Sequence, residues 1–192
     1  MIIWKKGEKL SEESGFGDVF KAIKVVNEEE QKEKFVIKEL KKLDEESIER
    51  FKREVRYLRT LDHPRIVNCE GFRLKGAPYF YTMRMYNTSL TYVQSKLSKD
   101  YARLKVIYGN ILEGLEYLHS EGYYHRDLKP GNVLLNSDTD LVLGDLGLCV
   151  NPLSERGHRI TRTHSGIGTD FYCSPEQLIS LKKTDHRTDI YS

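Results

Sequence analysis

In the stretch YYHRDLKPGNVLL, Tyr123 to Leu135, a carboxylate at Asp127 and an amide at Asn132 stand in one short run behind two basic residues. An aspartate can accept the proton of an attacking hydroxyl, and an asparagine one tight loop later can reach a metal ion carried on phosphates. A second carboxylate, Asp145, follows in LGDLGL. Alone, the first stretch also reads as a helix-to-strand turn with a capping aspartate.

Such residues need a scaffold, and the surrounding patterns supply one. From Lys9 to about Tyr86, DVFKAIKVV and KFVIKEL alternate as strands do, and VNCEGFRL and YFYTMRMY return to that pattern. Between them DEESIERFKREVRYLRTL predicts a helix, with Asp44 as cap, Glu45 and Glu46 at the positive end of its dipole, and an apolar stripe of Ile48, Phe51, Val55 and Leu58. DHP stops it. Glu54 shares the face of Phe51 and Leu58, so it is predicted to point at the sheet, whereas Glu46–Arg50 and Glu49–Arg53 form a solvated ladder. The charged run NEEEQKEK at 27–34 predicts a solvated hairpin turn. After NTSL, Leu104, Ile107, Ile111, Leu115 and Leu118 recur at helical spacing until Gly122, opening a mostly helical second half.

The bulk composition excludes several classes. Of 192 residues, 39% are hydrophobic and 31% charged, which suits a water-soluble protein with a packed core. A net charge of +2 gives no overall field for nucleic acid or an anionic membrane, so neither is expected as a direct partner. Cys69, Cys149 and Cys173 are odd in number and far apart, which argues against a disulfide framework or a metal site and for a reducing, cytoplasmic setting. MIIWKK is too short for a signal-peptide core, and no apolar run reaches membrane-spanning length. His63, His119, His158, His164 and His186 lack ligand spacing and are expected at turns or on the surface.

Four motifs in order carry a resemblance. His125, Arg126, Asp127, Leu128 and Asn132 match H-R-D-L-x-x-x-N; Asp145-Leu146-Gly147 stands for D-F-G; Ser174-Pro175-Glu176 stands for A-P-E; and FVIK, ending at Lys38, resembles V-A-I-K. The chain is thereby similar to the eukaryotic-type protein kinases from about Lys9 to Ser192. Lys129 and Thr169 resemble the pair that marks serine/threonine kinases. HSGIGTDFYCSPEQL and the hinge TMRMYN look most like the stress-responsive kinases of translation initiation factor two α, although the long insert usual there is replaced by the short RLKGAPY. A general or bacterial eukaryotic-like serine/threonine kinase is the alternative within the family.

The resemblance implies an α+β, two-lobed fold, with a β-rich N-lobe over residues 1–86 and a helical C-lobe over 87–192 that is cut short in its central helix. It implies ATP and Mg²⁺ as cofactors and a protein substrate with a serine or threonine acceptor. Asp127 would orient or deprotonate the acceptor hydroxyl, Asn132 and Asp145 would hold Mg²⁺, Lys38 would align the phosphates under guidance from Glu54, and Lys129 would steady the transferred group. Ser14, Gly15, Gly17, Val19, Val36, Met83, Met85 and Leu134 would complete the nucleotide site. Asp189 would steady the catalytic loop, and Glu176 would pair with an arginine further along the chain.

Two departures qualify this picture. The glycine-rich loop keeps only Gly17 of its three glycines, Glu12 and Ser14 replacing the others, and Val36 replaces the small residue that packs on adenine. A nucleotide-modulated pseudokinase scaffold is therefore the alternative from another class. Arg126, directly before Asp127, implies switching by a phosphate on Thr161, Thr163 or Ser165, shared with Arg159 and Arg162, with a homodimer as the vehicle of that phosphorylation.

Overall fold

The computed structural model describes residues 1–11, 17–97, 99–152, 171–180 and 184–192. Two compact units emerge: Met1–Asp62 with Val67–Met85, and His63–Ile66 with Tyr86–Ser192. The fold is α+β, as expected.

In the first unit the strands are β1 (Ile2–Ser11), β2 (Gly17–Val26), β3 (Glu29–Glu30), β4 (Phe35–Leu40), β5 (Gly71–Arg73) and β6 (Phe80–Arg84). They form an antiparallel sheet in the order β1-β2-β4-β6-β5, with β3 folded back onto β2. Alternation in β2 and β4 turns Ala22, Phe35 and Ile37 into one cluster, against which Trp4 and Phe80 pack. Trp4 meets Phe35 edge to face at 5.1 Å. The sheet therefore starts at Ile2, seven residues before the expected Lys9, because MIIWKKGEKL pairs with β2 and Trp4 supplies core bulk. The charged run 27–34 turns as a tight hairpin: Asn27 and Glu28 both take positive φ, 50° and 73°, and Glu29 and Glu30 pair back with β2.

Helix α1 (Glu45–Thr60) begins where Asp44 accepts a hydrogen bond from the Ser47 amide at 2.9 Å. Phe51, Val55 and Leu58 are buried as predicted, while Ile48 is only half-buried. On the outer face Lys52 pairs with Glu49 at 2.9 Å. VNCEGFRL forms strand only over Gly71–Arg73.

The second unit holds β7 (Thr88–Ser89), α2 (Leu90–Leu97), α3 (Tyr101–Ser120), β8 (Val133–Leu135), β9 (Leu141–Leu143), α4 (Pro175–Ile179) and α5 (Arg187–Tyr191). Asp100 caps α3 through the Arg103 amide, and Gly122, at φ 78°, follows its end. Ile107, Ile111, Leu115 and Leu118 are buried together with Leu141 and Leu143 of β9. The small sheet β7-β8-β9 was not anticipated, because two- and three-residue strands such as VLL and LVL are too short to display alternation.

Candidate active site

The β4–β6 register sets Lys38 directly opposite Tyr81, and α1 presents Glu54 to both. Lys38 Nζ donates to Glu54 Oε1 at 2.8 Å, and the Tyr81 hydroxyl donates to the same oxygen at 2.8 Å. Glu54 is 4% exposed, so the prediction that it faces the sheet holds. A charge this deep persists only with partners, and here an ammonium and a phenol supply them. Nearby, Val19 pairs with Lys38 and Val36 with Met83 across adjacent strands, and the Met85 amide donates to the Lys34 carbonyl at 2.9 Å. Gly17 opens β2 where an added Cβ would lie 2.8 Å from the Glu39 carbonyl, so close strand pairing itself requires glycine there. Glu12, Ser14 and Gly15 lie outside the described residues, as do Arg159, Thr161, Arg162, Thr163, Ser165 and Thr169.

In the second unit Asp127, Lys129 and Asn132 come together in one loop. Lys129 Nζ lies 2.9 Å from Asp127 Oδ2, and Asn132 Nδ2 donates to the Asp127 carbonyl at 2.7 Å and to Oδ2 at 3.0 Å. Burial pushes the Asp127 carboxyl above the usual range; Lys129 pulls it back, and the negative charge of Asp145 raises it further. A carboxyl raised this way is a better proton acceptor than an ordinary aspartate. Asp145 sits in the left-handed region at φ 56°, immediately before a 3₁₀ turn whose Leu146 is fully buried. Leu134 lies in β8 between Ser89 and Val142 in register.

The donor set fits a hard divalent cation. Asn132 commits its amide nitrogen to Asp127, which leaves its side-chain oxygen as a candidate ligand atom, and Asp145 adds a carboxylate whose repulsion of Asp127 a cation would relieve.

The loop is anchored by side chains far away in sequence. Asp189 of α5, 1% exposed, accepts the His125 amide at 2.8 Å and the Arg126 amide at 2.7 Å, as the resemblance implied. The same carboxylate lies 2.8 Å from His119 Nε2, so His119 is a half-buried structural partner and not the surface histidine expected. His63 lies at a turn, as expected, and stacks on Tyr117 at 4.5 Å. The buried His125 ring accepts the Asp127 amide at Nδ1 and faces the Gly144 carbonyl with Nε2, the arrangement of an Nε2–H tautomer. Gln177 of α4 donates to the Arg126 carbonyl at 2.7 Å while accepting the Ser174 amide at 3.0 Å. Glu176 accepts from the Thr188 hydroxyl at 3.0 Å. Sequence reasoning missed Tyr81, His119 and Gln177: nothing local marks them, and the usable signal for Tyr81 was a polar group at a buried strand position. Burial lifts the Cys69 thiol to about 11, which leaves it neutral and unreactive.

Comparison with known proteins places this geometry in context. Residues 8–192 match the family model described as protein kinase domain. The chain is 31% identical to the serine/threonine-protein kinase CST20 of Candida albicans over 72% of the chain and 11% of that protein. It is 33% identical to CBL-interacting protein kinase 26 of Oryza sativa over 80% of the chain and 32% of the relative. It is 32% identical to the interferon-induced, double-stranded RNA-activated protein kinase of Mus musculus, covering 93% of the chain and 36% of the relative. The chain thus spans well under half the length of these curated relatives.

Proposed function

The chain belongs to the protein kinase family, and from that premise we propose that it transfers the γ-phosphoryl group of ATP to serine or threonine hydroxyls of a protein substrate. One observation carries the reading: a buried aspartate whose carboxylate is braced by Lys129 at 2.9 Å and by Asn132 at 3.0 Å. Asp127 orients the acceptor hydroxyl and takes its proton. Lys129 steadies the transferred group. Lys38, guided by Glu54, aligns the phosphates, with Val36, Met83, Met85 and Leu134 around the base and Ser14, Gly15, Gly17 and Val19 along the phosphates. Asn132 and Asp145 would hold Mg²⁺, which when bound neutralises phosphate charge. Catalysis here is mostly positioning and charge complementarity. Phosphorylation of Thr161, Thr163 or Ser165, delivered within a homodimer and read by Arg126, is the regulation that fits, and the setting is cytoplasmic.

Glu12 and Ser14 in place of two phosphate-loop glycines favour a second reading, a scaffold that binds nucleotide without transfer. Incubating the protein with labelled ATP, Mg²⁺ and a mixed serine/threonine peptide library separates the two. Magnesium-dependent incorporation is expected; nucleotide binding with no incorporation gives the scaffold.

A further inference from the structure

We propose that Tyr81 is a positioning residue for phosphoryl transfer, a third partner built into the Lys38–Glu54 pair that holds Glu54 toward Lys38 whether or not the ammonium is engaged elsewhere. The inference rests on the kinase reading above and adds a residue that none of the motifs contains. Lys38 and Tyr81 are register partners on β4 and β6, so their side chains leave the same face of the sheet as close neighbours. Both donate to one atom, Glu54 Oε1, each at 2.8 Å. The Tyr81 ring also lies 5.6 Å from Lys38 Nζ and 5.6 Å from the ring of Phe51, one turn before Glu54 on α1. One side chain therefore touches the lysine, the glutamate and the helix that carries the glutamate.

The hydroxyl is the informative part. Phenylalanine would fill the same volume and pack on Phe51 equally well, yet the residue is tyrosine, 1% exposed, and a phenol at that depth needs an acceptor. Turning Glu54 outward would break both the contact to the ammonium and the contact to the hydroxyl, so two buried donors oppose the movement instead of one. When Lys38 turns its ammonium toward a phosphate oxygen, Tyr81 still fixes the carboxylate, and α1 keeps its place.

The test uses the full chain. Tyr81→Phe deletes one oxygen and should lower kcat/KM for ATP about tenfold, the scale for losing a hydrogen bond to a charged group. Replacing Tyr81 with 4-aminophenylalanine, which returns a donor to the same ring position, should recover most of that loss, an outcome that a packing role would not give. In a Glu54→Ala background, Tyr81→Phe should add little further loss. Undiminished kcat/KM in Tyr81→Phe, no recovery with the amino variant, or an equal loss without Glu54 overturns the proposal. Wild-type protein that transfers no phosphate defeats the kinase reading instead. Amide hydrogen exchange over Glu45–Thr60 then decides the positioning role: protection that falls in Tyr81→Phe and returns in the amino variant upholds it, and unchanged or unrecovered protection overturns it.

Discussion

The candidate residues of the two units are held by different means. In the first unit, Lys38, Glu54 and Tyr81 meet side chain to side chain, each projecting from a regular strand or helix. In the second, Asp127 lies on an irregular loop whose backbone is pinned by remote side chains: Asp189 on the His125 and Arg126 amides, Gln177 on the Arg126 carbonyl. Regular elements can place a group through register alone, as the pairing of Lys38 with Tyr81 does. A loop has no ladder of its own, so its free amides and carbonyls must be satisfied by groups brought from elsewhere in the chain.

That contrast predicts unequal responses to mutation. The largest belongs to the acceptor carboxylate. Asp127→Asn removes the proton acceptor but preserves the size and much of the hydrogen bonding of the side chain, so phosphate transfer should fall by about 10²- to 10⁴-fold while ATP affinity changes little. Single-turnover transfer measured beside equilibrium nucleotide binding checks it, and undiminished turnover removes Asp127 from the mechanism.

Next comes the buried pair. Lys38→Met leaves Glu54 in the core with only the Tyr81 hydroxyl, and stability should drop by about 3 kcal/mol, the low end for stranding a buried charge. Pairing it with Glu54→Leu should return part of the loss, because the buried charge is gone while the Tyr81 hydroxyl loses Glu54 as its acceptor. Urea unfolding of the single and double variants measures this. If the single variant is as stable as wild type, the pair is far better solvated than its burial implies.

Asp189→Asn acts on the loop from a distance. The amide keeps one acceptor oxygen for two backbone donors and turns an NH₂ toward one of them, so the loop loosens without losing any group that touches substrate. A fall in kcat of roughly tenfold to a hundredfold with unchanged KM for ATP is expected, the scale for misplacing a reacting group by about 1 Å. A matching fall in ATP affinity would show that Asp189 supports more than the loop.

The same contrast explains what could be read from the sequence. The motif residues and the core stripes of α1 and α3 were legible because period and spacing encode them locally: Asp44, Phe51, Val55 and Leu58 stand where the pattern puts them. Asp189 was legible only through the family resemblance, since 63 residues separate it from the Arg126 amide it accepts. His119 and Gln177 were not, because a histidine near a helix end and a glutamine after SPE carry no periodic signal; their roles arise once α3, α4 and α5 pack. Strand β1 was missed because four lysines and glutamates among its first nine residues mask a partner for β2 whose inward contribution is essentially one tryptophan.

The smallest effect is the most specific to the loop. Lys129 holds Asp127 down in pKa by its charge and its hydrogen bonds, against burial and Asp145, which both push up. Lys129→Met removes the largest downward influence and leaves burial and Asp145 in place, so the Asp127 pKa should rise further and the acid limb of kcat/KM should move to higher pH. Stability follows with a definite sign. A carboxyl whose pKa is raised on folding binds protons more readily in the native state than in the unfolded chain, so stability declines as pH rises from the unfolded pKa to the folded one. Above the folded value the full cost of the buried charge remains. In Lys129→Met that window widens upward, and the difference in stability from wild type should be greatest at neutral pH and shrink on acidification. Titration of the Asp127 carboxyl by ¹³C NMR in both proteins reads the shift without relying on turnover. An unchanged or lower pKa in the variant would mean that Lys129 serves the transferred phosphate alone and leaves the base untuned.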